Sequence, residues 1–291
     1  MTEDYVSLFL SSDFANRTPT DMLSLLFLFF ARMLPIIALS PFFGARVLTN
    51  PAKIFFAFTL FVIFLPGLLL TVSTSIAFSP KLVLLSLKEI FVGLIIGFLI
   101  SIPYVIVQAS GMIIDHQRGG ASLMVNDPTI QNQSSPIGLL FNMVMIYIFW
   151  SIDGPFLLLD AIQHSYTVVP MDKFINPVFF AENSSFLKIL IKLFNSVMVV
   201  VTQIAAPALI AMLMTDFFLG IANRLAPQVQ ITFLGMPLKS LIGIALICFG
   251  WHFITAEFIK QSYIWLQNVS TSIEIFREAA TPVPGSPVPN F

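Results

Sequence analysis

Charged residues are scarce: they make up 10% of the 291 positions, against about 25% in ordinary soluble domains. That excludes the class of water-soluble globular domains. The few charges nearly cancel. A formal net charge of −1 leaves no basic footprint, which removes nucleic acid from the partners to consider. Cysteine occurs once, as Cys248 in the apolar run LIGIALICFG, which rules out an internal disulfide and a multi-cysteine metal site. The apolar surroundings predict a buried thiol. Histidine occurs at His116, His164 and His252 only, on separate segments without the spacing of metal ligands. HExxH, P-loop, GxSxG and CxxC motifs are all missing, so no catalytic residue, no metal and no cofactor is expected. Asp115-His116 with Ser122 supplies an acid, a base and a nucleophile, but within one glycine-containing loop these have no fixed mutual geometry. The opening MTEDYVSLFLSSDF carries Glu3 and Asp4 where a secretory leader carries Lys or Arg, which predicts that the first apolar helix is retained.

Hydrophobic residues fill 57% of the chain and the mean hydropathy is +0.92. A crossing of about 30 Å of hydrocarbon takes about 20 apolar residues as a helix, so there is room for several. Apolar runs lie at about 22–40, 54–77, 82–108, 137–152, 186–225 and 237–269. Thr18, Thr20 and Asp21 offer N-caps to the first. Pro41, Gly44, Asn50 and Pro51 separate it from the second, proline lacking a donor and glycine tolerating positive φ. Pro66-Gly67 predicts a kink in the second run, and Pro103 falls near the end of the third. DGPFLLLDAIQHSY reads as amphipathic, and 168–185 as a loop. The fold class that follows is an all-α membrane-type protein of bent, Pro/Gly-interrupted helical hairpins. A polar segment (1–21) precedes the helical domain (22–269), and a Pro-rich tail (270–291) follows it.

Lys and Arg are spread thinly over nearly every connection, so the positive-inside rule gives no orientation. Ionisable residues also punctuate the runs: Arg32, Lys88, Glu89, Lys188, Lys192, Asp216, His252 and Glu257. Each costs about 2.5–3.5 kcal/mol at a helix centre on insertion scales, so each should face protein or water. Asp216 and Glu89 are both available mates for Arg32. Asp153, Asp160 and His164 share a helical spacing that suits the wet face of an interfacial helix better than a proton relay. Lys188 and Lys192, an i, i+4 pair of like charges, suggest a face toward water or acidic partners. The longest polar interval before residue 150 is GMIIDHQRGGASLMVNDPTIQNQSSP.

Three ordered blocks carry a resemblance. ARMLPIIALSPFFGARVLTNPAK matches an R-x₂-P…P-x-F-G-x-R…P pattern through Arg32, Pro35, Pro41, Gly44 and Arg46. GMIIDHQRGGASLMVNDP matches G-x-x-I-D-x-Q-R-G followed by D-P, through Asp115, Gln117, Arg118, Asp127 and Pro128. DFFLGIANRLAPQVQITFLGMPLKSLIGIALI matches D-x₃-G-x₂-N-R-x-x-P-Q…G-x-P-x-K through Asp216, Gly220, Arg224, Pro227, Gln228, Gly235, Pro237 and Lys239. In these blocks the chain resembles the FliR/SctT/SpaR family, the export-apparatus proteins of flagellar and virulence type III secretion systems.

That resemblance implies a structural part in an export gate of the bacterial inner membrane, multi-pass and raised toward the periplasm. The partners it implies are FliP/SctR-like and FliQ/SctS-like subunits, an FlhB/SctU-like switch protein and unfolded secreted substrates. It also implies that the second block projects into the pore as a plug, formed by Gln117, Arg118, Gly119, Gly120, Ala121, Ser122, Leu123 and Met124, with Gly119-Gly120 as a hinge. The residues of the first and third blocks, with Asp115, Asp127 and Pro128 of the second, would be structural or partner contacts, and 224–228 with 235–239 reads as a helix-turn-helix elbow. Irregular polar backbone at membrane depth is tolerated only where protein buries it or a watery cavity receives it, which suits the plug reading. The rival class is a secondary transporter, which also uses broken helices and intramembrane carboxylates. No clear inverted pair of Gly/Pro-interrupted segments supports it. An intramembrane enzyme would need a fixed acid–base pair, and none is visible.

Overall fold

A computed structural model describes residues 19–43, 49–72, 79–119, 135–174, 185–225 and 231–280. These are all helical or turn. In chain order the helices are α1 (Pro19–Leu39), a 3₁₀ turn (Pro41–Phe43), α2 (Asn50–Thr71), α3 (Pro80–Gln117), α4 (Pro136–Ser151), α5 (Gly154–Val168), α6 (Ser185–Leu225), α7 (Ile231–Phe249) and α8 (Trp251–Ala280). Among the described residues, four helical segments are long and apolar enough to cross a membrane by themselves: α1, 50–69 of α2, α3, and Ile191–Leu225 of α6. The chain is an all-α, multi-pass membrane protein.

Contacts divide the chain into two compact units, 1–101 with 154–190 and 265–291, and 102–153 with 191–264. In the first unit α1 buries Leu25, Leu28, Phe29, Arg32, Met33, Ile36 and Ile37, a 3.6-residue stripe that faces neighbouring helices. Phe29 organises it, with its ring 5.4 Å from Phe61, 6.1 Å from Phe64 and stacked at 5.7 Å on Tyr166. A Cβ on Gly93 would overlap the Arg32 carbonyl, so glycine there lets α3 cross α1 at backbone contact. In the second unit Phe141 meets Phe258 edge-on at 5.3 Å, Tyr104 meets Phe149 at 6.1 Å, and the Ser262 hydroxyl donates to Met145 Sδ at 3.5 Å.

Several boundaries differ from those expected. The third run extends beyond 108 to Gln117, so the front of the polar interval is helix, and Asp115 is in no loop. Proline does not end the helices that contain it: α2 continues through Pro66 and α3 through Pro103. The run expected at 237–269 is two helices that meet at Gly250 with a bend of 64°. Gly235–Lys239, expected as an elbow, lies within α7. Asp153 is not on the helix with Asp160 and His164; it holds φ 56° in the turn before α5, a left-handed conformation that Asp tolerates better than most residues. Cys248 is exposed, not buried. Ile247 takes the inward position on α7, and a residue one step further along turns about 100° away from it. The last helix runs to Ala280.

Candidate functional site

The polar interval springs from a knot of charge at its feet. α3 ends at Gln117, and Gly119 takes φ 93° as the chain leaves the helix. That left-handed residue after a helix is the usual C-terminal use of glycine, so Gly119 serves here as a cap. Asp115, one turn back and buried, accepts from Arg118 Nε at 2.6 Å and pairs with Arg118 Nη2 at 2.6 Å. Its other oxygen accepts the Ile137 amide at 2.8 Å and the Ser135 hydroxyl. Ser135 in turn caps α4 by accepting Gly138 N at 2.9 Å, with Pro136 as the first helical residue, a good N-terminal arrangement. A Cβ on Gly111 would sit 2.5 Å from Gly138 Cα, so α3 and α4 touch at backbone distance just behind this carboxylate. Asp115 therefore fastens together the chain that enters 120–134 and the chain that leaves it. Arg118 packs over α7, where a Cβ on Gly243 would be 3.8 Å from its Cβ and Cδ.

Of the residues expected in a plug, Gln117, Arg118 and Gly119 belong to this fastened foot. Gly120, Ala121, Ser122, Leu123, Met124, Asp127 and Pro128 lie outside the described residues, as do Gly44, Arg46, Pro227 and Gln228. Pro41 opens the 3₁₀ turn, and Pro35 is inside α1.

Arg32 is the centre of a second cluster, in the first unit. Its guanidinium and the Glu89 carboxylate are both 0% exposed and doubly hydrogen-bonded, at 2.5 and 3.0 Å. Nη1 donates to Ser165 O and Oγ at 2.9 and 3.1 Å, and Nη2 to Val169 O at 2.7 Å. All five N–H donors of the side chain are used. The cation also lies 4.1 Å from the Tyr166 ring centre. Lys88 reaches Glu89 Oε1 at 2.6 Å and the carbonyls of Pro170, Met171 and Lys173 at 2.8, 3.4 and 3.0 Å. Glu89, not Asp216, is the mate of Arg32.

The third block forms a groove between α6 and α7. Lys239 pairs with Asp216 at its floor, and their side chains remain 22% and 38% exposed. Gly220, Asn223 and Gly235 also line the space, about 270 Å³. Arg224 is exposed at the end of α6, and Pro237 is exposed within α7. No group of three or more metal-ligating side chains occurs among the described residues.

Ser135, Gly111, Gly138 and Ser165 were not singled out from sequence. Ser135-Pro136 before an apolar run is a readable helix start. The others are visible only once helices distant in sequence are paired.

Comparison with known proteins fits these blocks. The family model described as bacterial export proteins, family 1, matches residues 23–263. The chain is 38% identical over 198 residues to Yop proteins translocation protein T of Yersinia pestis, covering 68% of this chain and 74% of that protein. It is 30% identical over 240 residues to the flagellar biosynthetic protein FliR of Bacillus subtilis, covering 81% and 90%. It is 28% identical over 222 residues to the surface presentation of antigens protein SpaR of Shigella flexneri, covering 75% and 81%.

Proposed function

The chain belongs to the bacterial export proteins, family 1, whose members include type III secretion and flagellar export-apparatus proteins, and on that premise we propose that it helps form a channel for unfolded secreted proteins across the bacterial inner membrane. FliP/SctR-like and FliQ/SctS-like subunits would complete the channel, with an FlhB/SctU-like protein beside it. The observation that carries this reading is a family match that spans residues 23–263, nearly all of the helical chain. Its role is structural, with no catalytic step.

The interval 120–124 is the proposed barrier of the idle channel. A conduit wide enough for an extended chain would leak ions unless something deformable filled it. The Asp115 fastening supports that reading, because a barrier must hold its place while its tip yields. Arg118 and Gly119 are then the fixed base, and any yielding begins at Gly120.

Deleting 120–124 keeps the Asp115–Arg118 pair and Ser135 intact. Complexes purified with their partner subunits, identified by mass, should assemble normally but conduct ions when idle. Ion conductance at the closed level with secretion unchanged would remove the barrier role. Absence of the named subunits from the purified complex would remove the channel reading itself.

A further inference from the structure

The Asp216–Lys239 groove shows features that export of a polypeptide does not explain. No charged residue occurs in 193–215, a helical stretch of about 35 Å, close to the thickness of the hydrocarbon core. Lys192 and Asp216 bracket it, which sets Asp216 at a membrane–water boundary. Phe217 and Phe218, next in sequence, are exposed, as aromatic residues at such a boundary often are. The groove thus opens at the depth of lipid headgroups.

Its chemistry is that of a zwitterion. Lys239 Nζ carries three donors, of which Asp216 takes one. The other Asp216 oxygen can accept. Asn223 offers a donor and an acceptor at the outer lip, toward the end of α6. Space comes from Gly220, where an added Cβ would meet nothing within 4 Å. A purely anionic headgroup would be attracted by Lys239 and repelled by Asp216. A headgroup with a phosphate and a primary ammonium suits both.

We infer that this groove binds the headgroup of a phosphatidylethanolamine-type lipid, with the phosphate on Lys239 and the ammonium between Asp216 and Asn223. The acyl chains would then lie along the exposed apolar surface beside Phe217 and Leu213. The ion pair remains as the floor of the site.

The test uses the full chain purified with its co-assembling subunits. It is incubated with phosphatidylethanolamine, phosphatidylcholine or phosphatidylglycerol of identical acyl chains, and retained lipid is counted by native mass spectrometry. Phosphatidylethanolamine should be retained about tenfold over phosphatidylcholine, which keeps the phosphate but has no ammonium N–H, and over phosphatidylglycerol, which has no ammonium; a tenfold preference corresponds to about 1.4 kcal/mol. Gly220→Leu fills the groove while leaving both charges of the ion pair in the chain, and should lower that retention at least fivefold, as should Lys239→Gln. Equal retention of the three lipids by the unaltered complex overturns the proposal. So does undiminished retention in folded Gly220→Leu. Loss of a subunit on Gly220→Leu, with no headgroup preference in the unaltered complex, would assign the groove to a protein interface instead.

Discussion

The Arg32–Glu89 centre and the Asp216–Lys239 groove are both ion pairs between helices, yet one is saturated and the other is left open. Every guanidinium donor of Arg32 has an acceptor and neither partner is exposed. Asp216 and Lys239 keep a third and a fifth of their side-chain surface. A charge enclosed in protein has no solvent to fall back on, so its neighbours must supply every contact. A charge at a boundary can share its remaining bonds with whatever arrives. The first arrangement serves to lock helices together. The second is suited to recognition.

Removing one member of each pair should show the contrast most strongly. Glu89→Ala leaves a buried guanidinium without its carboxylate and should cost about 3–5 kcal/mol, seen as loss of the monodisperse complex on size exclusion in detergent. Replacing both partners, Arg32→Met with Glu89→Leu, should be less damaging than Glu89→Ala, because no charge is stranded. If the double variant is the worse of the two, the cluster is not behaving as a compensated pair.

Asp115 stands between the two extremes, buried but beside the polar interval. Asp115→Ala strands the Ile137 amide and the Ser135 hydroxyl and should cost about 2–3 kcal/mol. Faster hydrogen exchange at the start of α4 would report it. Gly111→Ala leaves all these bonds in place and pushes α3 from α4 by a methyl group, for about 1–2 kcal/mol, visible as a lower midpoint of thermal unfolding. Asp216→Asn should change stability least, by about 0.5 kcal/mol or less, since pairs open to solvent contribute little. A thermal shift as large as that of Glu89→Ala would erase the distinction between a locked and an open pair.

The helices themselves were legible from composition, since runs of apolar residues of spanning length have few alternatives. Their ends were less so. Asp115, His116 and Gln117 look like loop residues in a one-dimensional reading, and only the donors at Ser135 and Ile137 show why a carboxylate can sit in the last turn of α3. Arg32 illustrates the same limit. Sequence showed that the cation needs a carboxylate, and left Asp216 and Glu89 equal. Choosing between them takes the crossing of α1 and α3 at Gly93. Cys248 failed for a different reason: in a membrane-type chain apolar surroundings in sequence do not mean an inward position, because the outer face is apolar too.

The spacing of the Arg32 partners along the chain also has a consequence in time. Glu89 follows Arg32 by 57 residues, and Ser165 and Val169 by 133 and 137. At a synthesis rate of roughly 5–20 residues per second, the newly made cation waits about 3–11 seconds for its carboxylate and about 7–27 seconds for its last carbonyls. Throughout that interval α1 is a mostly apolar helix carrying an unpaired positive charge, which costs about 2.5–3.5 kcal/mol at mid-membrane. That cost is relieved only when α3 and α5 have been made, so the order in which this protein is assembled is written into the distance between its charges.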